Sequence, residues 1–299
     1  MAVRKLGEMI GKGAEGDTYL DSDGASVVKT PNKLGVEFRG VSVGVDWQSD
    51  WAEHYPRCNK AYHEVEIPII RSELTDRFEG IMKDGRIIRR DTALVVPYVS
   101  DMDEIKLSYA DLVDPEIGPQ VLRELYGHVV KADHLYREKE LGLDPYGGEI
   151  VFDLINGLKE LCLRRMEEML PMVMRMGIRR KMFRMRGQIR NVIKMENGSR
   201  ELMENARDDQ FLGYVDLGMH DFSDKGQWQA FTKLLHHLMI GSLIEVIKRC
   251  NEKLPVDGRI SEEHMADIDQ YFNGNRFHKW LVDKLVEVMV PMMDEDLGK

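Results

Sequence analysis

Three glycines and a lysine near the start of the chain are the first residues whose types and spacing suggest chemistry. The stretch "IGKGAEGDTYL", Ile10 to Leu20, places Gly11, Gly13 and Gly16 in the spacing G-x-G-x-x-G. Glycines so spaced let backbone amides approach a phosphate with no Cβ in the way. Two geometries use the pattern: a turn that opens a helix and holds a dinucleotide pyrophosphate, or a hairpin lying over a nucleoside triphosphate. The residues after Gly16 choose between them. Thr18, Tyr19 and Leu20 are strand formers, "DSDG" is a turn, and "ASVVK" is a second short strand ending at Lys29. No helix begins at Gly16, so the dinucleotide reading falls. Lys29 puts a cation on the next strand, where the α- and β-phosphates need one.

The elements that must carry these residues are bounded by composition. A chain of 299 residues, 43% of them hydrophobic, can bury a substantial core as one large domain or two lobes. Its net charge of -10 excludes a general nucleic-acid binder unless basic residues are locally concentrated. Cys58, Cys162 and Cys250 are far apart and lack C-x-x-C spacing, so neither a disulfide framework nor a zinc site is expected. The start "MAVRKLGEMIGKG" has no apolar signal core, and no run of about 18 apolar residues occurs. The expectation is a cytoplasmic protein without a transmembrane segment, or an effector secreted by another route that acts in a host cytosol.

With the glycine hairpin and the strand lysine in place, the sequence resembles the protein-kinase-like superfamily. Its general look is that of atypical bacterial or phage-encoded kinases, with a distant similarity to aminoglycoside phosphotransferases. The resemblance implies a bilobal α+β fold: a small antiparallel-sheet lobe over residues 1–100 and a mainly helical lobe over 101–299. The second lobe would hold a catalytic loop, a helical insertion over about 153–210 and terminal helices. It implies ATP and Mg²⁺ as ligands and phosphoryl transfer to an unidentified hydroxyl on a protein or small molecule. The stretch "RCNKAYHEVEIPIIRSEL" reads as helical until Pro68, and supplies Glu64 or Glu66 as partner to Lys29. Two residues apart, they face different ways, and the stripe of Tyr62, Val65 and Ile69 favours Glu64. "GRIIRRDTALVVPYVSD" reads as two strands leading to a hinge, where Pro97 has no N–H and the backbone of Val99 is the donor to adenine. Val121, Leu122, Leu125, Val129 and Leu135 then fall at helical spacing.

In the kinase pattern H-R-D-x-x-x-x-N, Asp144 of "LGLDPYGGE" takes the place of the catalytic base and Glu149 that of the metal-binding asparagine. Gly142 and Leu143 replace the histidine and arginine. Asp216-Leu217-Gly218 stands for D-F-G, with Asp216 as the metal ligand. The departures leave a second reading open, a pseudokinase that binds nucleotide or acts as a scaffold without turnover. No A-P-E comes after Asp216, and "MHDFSDKGQW" leads almost directly toward an apolar helix, so the usual peptide platform is absent or reduced. Arg164 to Lys194 holds ten basic residues against Glu167 and Glu168, with seven methionines among them. Methionine suits surfaces that repack against partners, so an acidic partner is one use for this stretch and a solvated face over a core stripe is the other.

Overall fold

The computed structural model describes residues 2–12, 16–31, 33–38, 41–99, 105–139, 141–144, 188–196, 198–215, 218–221, 240, 243–244 and 246–265. The chain forms two compact units, Met1–Met102 with Glu196–Arg207, and Asp103–Met195 with Asp208–Lys299.

The first unit is built on a closed barrel. Its strands are β1 (Ala2–Lys12), β2 (Gly16–Asp21), β3 (Ser26–Pro31), β7 (Glu73–Met82) and β8 (Ile87–Pro97). Between β3 and β7 come the β4 (Lys33–Phe38) and β5 (Val41–Asp46) hairpin, helix α1 (Trp47–Glu64) and the short β6 (Ile69–Ile70). The barrel order is β1-β2-β3-β8-β7. Four neighbouring pairs are antiparallel, and β1 closes the ring by pairing in parallel with β7, Ala2 opposite Phe78 through Leu6 opposite Met82. Alternation sends Leu6, Tyr19, Val28, Phe78 and Ala93 inward as one cluster. Burying such aliphatic and aromatic side chains stabilises by roughly 1.5–3 kcal/mol each. So narrow an interior needs gaps as well as bulk: a Cβ on Gly80 would stand 2.4 Å from Leu6 Cδ1. Arg4 ties β1 to β2 through a 2.6 Å ion pair with the buried Asp21.

Helix α1 packs against β3 and β8, where Val27, Leu94 and Val96 are buried. It ends earlier than the expected helix, because its last turn closes in a Schellman motif. The Ile67 N–H donates to the Tyr62 carbonyl at 3.3 Å and the Glu66 N–H to the His63 carbonyl at 3.2 Å. Glu66 takes the left-handed position at φ 52°, while Ile67 and Tyr62 are fully buried.

In the second unit, β9 (Lys106–Ser108) runs into helix α2 (Tyr109–Val113), followed by α3 (Gly118–Lys139), β10 (Leu141–Asp144) and β11 (Gln188–Lys194). The chain then gives Glu196–Arg207 to the first unit, where β12 (Met203–Glu204) pairs antiparallel with β6. It returns with β13 (Leu212–Tyr214) and β14 (Gly218–Asp221). β11 is antiparallel to both β9 and β13, and β10 is antiparallel to β14. Ser108 and Asp111 form a reciprocal capping box at the start of α2. The stripe Val121, Leu122, Leu125, Val129, Ala132 and Leu135 of α3 is buried. Residues 246–253 are helical, and Asn251 locks the chain beyond them by exchanging hydrogen bonds of 2.8 and 2.9 Å with the backbone of Ile260.

The expected bilobal fold, a small antiparallel-sheet lobe followed by a mainly helical lobe with a helical insertion, is overturned. The first unit closes into a mixed barrel because β1 finds a parallel partner in β7. The described residues of the second unit hold five strands, and the described part of the supposed helical insertion holds strands β11 and β12 with one 3-10 turn, Ser199–Leu202, between them. There Ile189, Val192 and Ile193 in "QIRNVIK" favour the extended chain. "GRIIRRDTALVVP" forms one eleven-residue strand, β8, rather than two, since no turn residue interrupts it. "GMHD" is strand β14 rather than a lead into helix. Of the two terminal helices expected from Ser261 onward, the described start is helical over Glu262–Met265, and the rest lies outside the described residues.

The packing can be tested at two points. A Cβ on Gly16 would lie 2.5 Å from the Thr30 carbonyl oxygen, so Gly16→Ala must push β2 from β3; chemical denaturation should show a loss of about 1–3 kcal/mol. An unchanged midpoint would refute the close approach. Separately, Tyr55 of α1 hydrogen-bonds Ser72, and burial pushes its phenol up to about 12. An unfolded phenol ionises near pH 10, so this group's share of stability is complete below pH 10 and disappears as pH rises through 12. That share is on the order of 2 kcal/mol. Thermal melts should therefore fall less steeply between pH 10 and 12 for Tyr55→Phe than for the wild type.

Candidate functional site

The glycine-bearing hairpin is the connection between β1 and β2, and Lys29 lies on β3 beside it. Strand register makes their relation definite. Gly11 pairs with Thr18, Thr18 with Lys29, and Lys29 with Leu94, so the four form one row across β1, β2, β3 and β8. Directly opposed residues share a sheet face. Gly11 and Lys29 are thus two strand spacings apart, about 10 Å, on the face opposite Val28 and the barrel interior. Thr18 and Lys29 are half-buried.

The glycines differ in why they must be glycine. The fold itself accounts for Gly16, which leaves no room for a side chain against Thr30. Gly11 is different, since a Cβ there would meet Thr18 at 3.5 Å, an ordinary contact. Packing among the described residues gives Gly11 no reason to lack a side chain, and a close ligand approach would supply one. Gly13 lies outside the described residues.

At the far end of β8, Ser26 pairs with Pro97 and the Tyr98 N–H donates to the Ala25 carbonyl at 2.9 Å. Val99 is the next residue with an N–H, half-buried. It lies two residues beyond the end of β8 and five residues from Leu94, the partner of Lys29, at most about 17 Å if the chain stays extended. Glu64 is the last residue of α1 and is exposed. Glu66, the other carboxylate considered for Lys29, has left the helix and pairs with Arg207 at 3.0 Å. His63 is bracketed by Asn205 Oδ1 at 2.7 Å and Glu204 Oε2 at 2.8 Å, so the returning segment 196–207 is anchored along the end of α1.

In the second unit, β10 ends at Asp144, whose cross-strand partner is Gly218 of β14. The last residue of β10 is thereby placed against the last residue of Asp216-Leu217-Gly218, more than seventy positions later in sequence. Asp216 and Glu149 lie outside the described residues. Among the described residues, no group of three or more histidine, cysteine or acidic side chains comes together as a metal site.

Sequence reasoning missed the residues that grip β13. On α3, Gln120, Glu124 and His128 recur every fourth position and so share one face. Both Glu124 carboxylate oxygens accept the Phe211 N–H at 2.8 Å, and Oε2 also accepts the Leu212 N–H at 2.9 Å. Gln120 donates to Glu124 at 3.1 Å. His128, only 4% exposed, shares a 2.9 Å hydrogen bond with the hydroxyl of the fully buried Tyr214, and the two rings meet edge to face. The available signal was the recurrence of Gln120, Glu124 and His128 at every fourth position of an amphipathic helix.

Of the basic stretch Arg164 to Lys194, only Gln188–Lys194 is described, as β11. Lys194 there is engaged in a 3.3 Å ion pair with Asp111, both side chains mostly buried. Among the described residues, no helix is long and apolar enough to cross a membrane. The chain matches no family model, no curated protein and no solved structure.

Proposed function

We propose that this protein binds ATP with Mg²⁺ and transfers a phosphoryl group to a hydroxyl of a protein or small molecule. The observation that carries the reading is the cross-strand row of Gly11, Thr18 and Lys29. It puts a glycine that packing does not require, a hydroxyl and an ammonium on one face at the mouth of a hairpin. Phosphate recognition asks for that combination: backbone amides free of side chains, and a cation beside them.

In this reading Lys29 holds the α- and β-phosphates and the glycine hairpin covers them. The Val99 N–H pairs with the base, at a distance along β8 that suits an extended nucleotide. Glu64, the last residue of α1, is the carboxylate assigned to Lys29 in this reading. Asp144 orients the acceptor hydroxyl and takes its proton, and Asp216 with Glu149 supplies the hard oxygen ligands that suit Mg²⁺. When bound, the metal neutralises charge on the transferring phosphate. The register of Asp144 with Gly218 supports pairing these roles, because it draws the two acidic motifs together within one unit.

Thermal shift with ATP and Mg²⁺ tests the nucleotide site. At a hundredfold excess over Kd, binding to the folded state should add about 2.7 kcal/mol of stability. Lys29→Ala should abolish the shift. Gly11→Ala should leave the ligand-free protein as stable as the wild type, or up to about 0.5 kcal/mol more stable, while weakening the response to ATP. Transfer is followed with ATP labelled at the γ- or the α-phosphate: γ-label on an acceptor, lost in Asp144→Ala, is the expected result. Retained α-label would mean nucleotide transfer, and binding without either label would mean a nucleotide-binding module. A folded wild-type protein that does not respond to ATP would sink the reading.

A further inference from the structure

We infer that the end of the barrel beside the glycine hairpin is a binding site for a phosphate group, held by Arg90 and Tyr19. The site stands apart from the phosphotransfer reading, because Lys29 is on the outer face of the sheet and these two residues are on the inner one. Register places them there. Arg90 of β8 opposes Phe78 of β7, and directly opposed residues share a face. Phe78 and Tyr19 belong to the interior cluster, and Ile88, two residues before Arg90, packs against it. The Arg90 side chain reaches the strand end, where its Nε–H donates to the Pro31 carbonyl at 3.2 Å. Pro31 is the last residue of β3 and the cross-strand partner of Gly16, the first residue of β2 after the glycine hairpin.

The Arg90 guanidinium is fixed without being neutralised. Its Nη1 donates to the Arg89 carbonyl at 2.9 Å, so both of its hydrogen bonds among the described residues go to backbone carbonyls. Two nearby arginines are used differently, Arg86 on Asp84 at 2.6 Å and Arg89 on Glu79 at 2.8 Å. Asp17, a carboxylate on β2, has Lys12 as its cross-strand partner. A guanidinium carries five N–H donors, and two carbonyls engage only two of them. Satisfying a strand-end carbonyl requires one neutral donor. A half-buried cation without a counter-charge loses solvation that a bound anion would offset.

Tyr19 supplies the second group. It is 7% exposed, and among the described residues its hydroxyl has no hydrogen-bond partner. Buried tyrosines usually find one. Burial raises its pKa above the usual phenol value and Asp17 adds to the rise, while Arg90 and Arg86 oppose it. The phenol is therefore protonated at neutral pH, an O–H donor in the field of the Arg90 cation. A rigid guanidinium fork with a neutral hydroxyl on the same face matches the oxygens of a phosphate group.

The test titrates inorganic phosphate into the full chain at constant ionic strength, reading the thermal shift and the Arg90 Nε–H resonance. The expected result is a moved resonance and a saturable shift, unlike the steady rise that surface-excluded salts give. Arg90→Gln, which keeps one donor for the Pro31 carbonyl, should lose the saturable shift. Arg90→Lys, charged but without the fork, should weaken it, and serves where the glutamine variant does not fold. Tyr19→Phe should weaken phosphate binding about tenfold. It should leave ligand-free stability at or above that of the wild type, since no internal hydrogen bond is lost. Lys29→Ala should respond as the wild type does. ATP titrated into Lys29→Ala identifies the source of the group: a response means that an organic phosphate fits, and a response to inorganic phosphate alone means the free ion. No saturable response in the wild type would overturn the inference. So would wild-type binding in folded Arg90→Gln and Tyr19→Phe variants, or its loss in Lys29→Ala, which would move the phosphate to the outer row.

Discussion

The parallel pairing of β1 with β7 is the constraint on which the first unit depends. Without it the five strands would form an open sheet with two bare edges, and Leu6 would have no opposing wall. With it, Leu6 must fit beside Phe78 in a ring too narrow for spare volume, which is why Gly80 carries no side chain. Leu6, Tyr19, Val28, Phe78 and Ala93 cluster in the barrel interior, and the row through Gly11, Thr18 and Lys29 lies on the outward face. Closure also fixes the stagger of every strand pair around the ring. Gly11 meets Thr18, and through it Lys29, only after two register irregularities in β1, between Leu6 and Met9 and between Met9 and Gly11.

The second unit solves a different problem. Its strands are only three to seven residues long, too short to bury much apolar surface on their own. Helix α3 supplies what they lack. Its apolar face provides a core, while Glu124 and His128 supply polar contacts that a short ladder cannot. A charge-assisted hydrogen bond to backbone amides is stronger than a neutral one, so a single carboxylate shared by two amides is an efficient anchor for so small a strand. The reciprocal cap at Ser108 and Asp111 shows the same economy, since Asp111 also receives Lys194 from β11.

Much of the local structure could be read from the sequence, and little of its assembly. The strand around Thr18 to Leu20, the turn at "DSDG", the buried run at Ala93 to Val96 and the apolar stripe of α3 all follow from periodicity and turn chemistry. Closure of the barrel does not, because parallel pairing joins strands some seventy residues apart and leaves no mark in either. The end of α1 was misplaced for a specific reason: Pro68 is the visible breaker, but Glu66 in a left-handed conformation ends the helix first, a position where glycine is the usual signal. β10 and β14, four residues each, show no alternation that a loop would lack, while β11 is hidden because its "QIRNVIK" closes the basic, methionine-rich stretch that reads as helical. For the candidate site, the residue types were legible, and the pairing of Asp144 with Gly218 was not. The column Gln120, Glu124, His128 was visible as a pattern, but only the amides of Phe211 and Leu212 give it a purpose.

The two described glycines of the hairpin show how a motif should be weighed once a fold is known. A spacing match treats Gly11 and Gly16 as equal evidence for a phosphate site. Sterics separate them: Gly16 would be glycine in this barrel whether or not anything bound, because the Thr30 carbonyl occupies the space of its Cβ. It therefore adds nothing to the argument for function. Gly11 carries a cost instead, since a glycine in a strand gives up backbone entropy that alanine would not, and the neighbouring Thr18 does not demand it. The proposed phosphate site therefore rests on Gly11, which adjoins a register irregularity of β1 and is in register with a half-buried lysine two strands away.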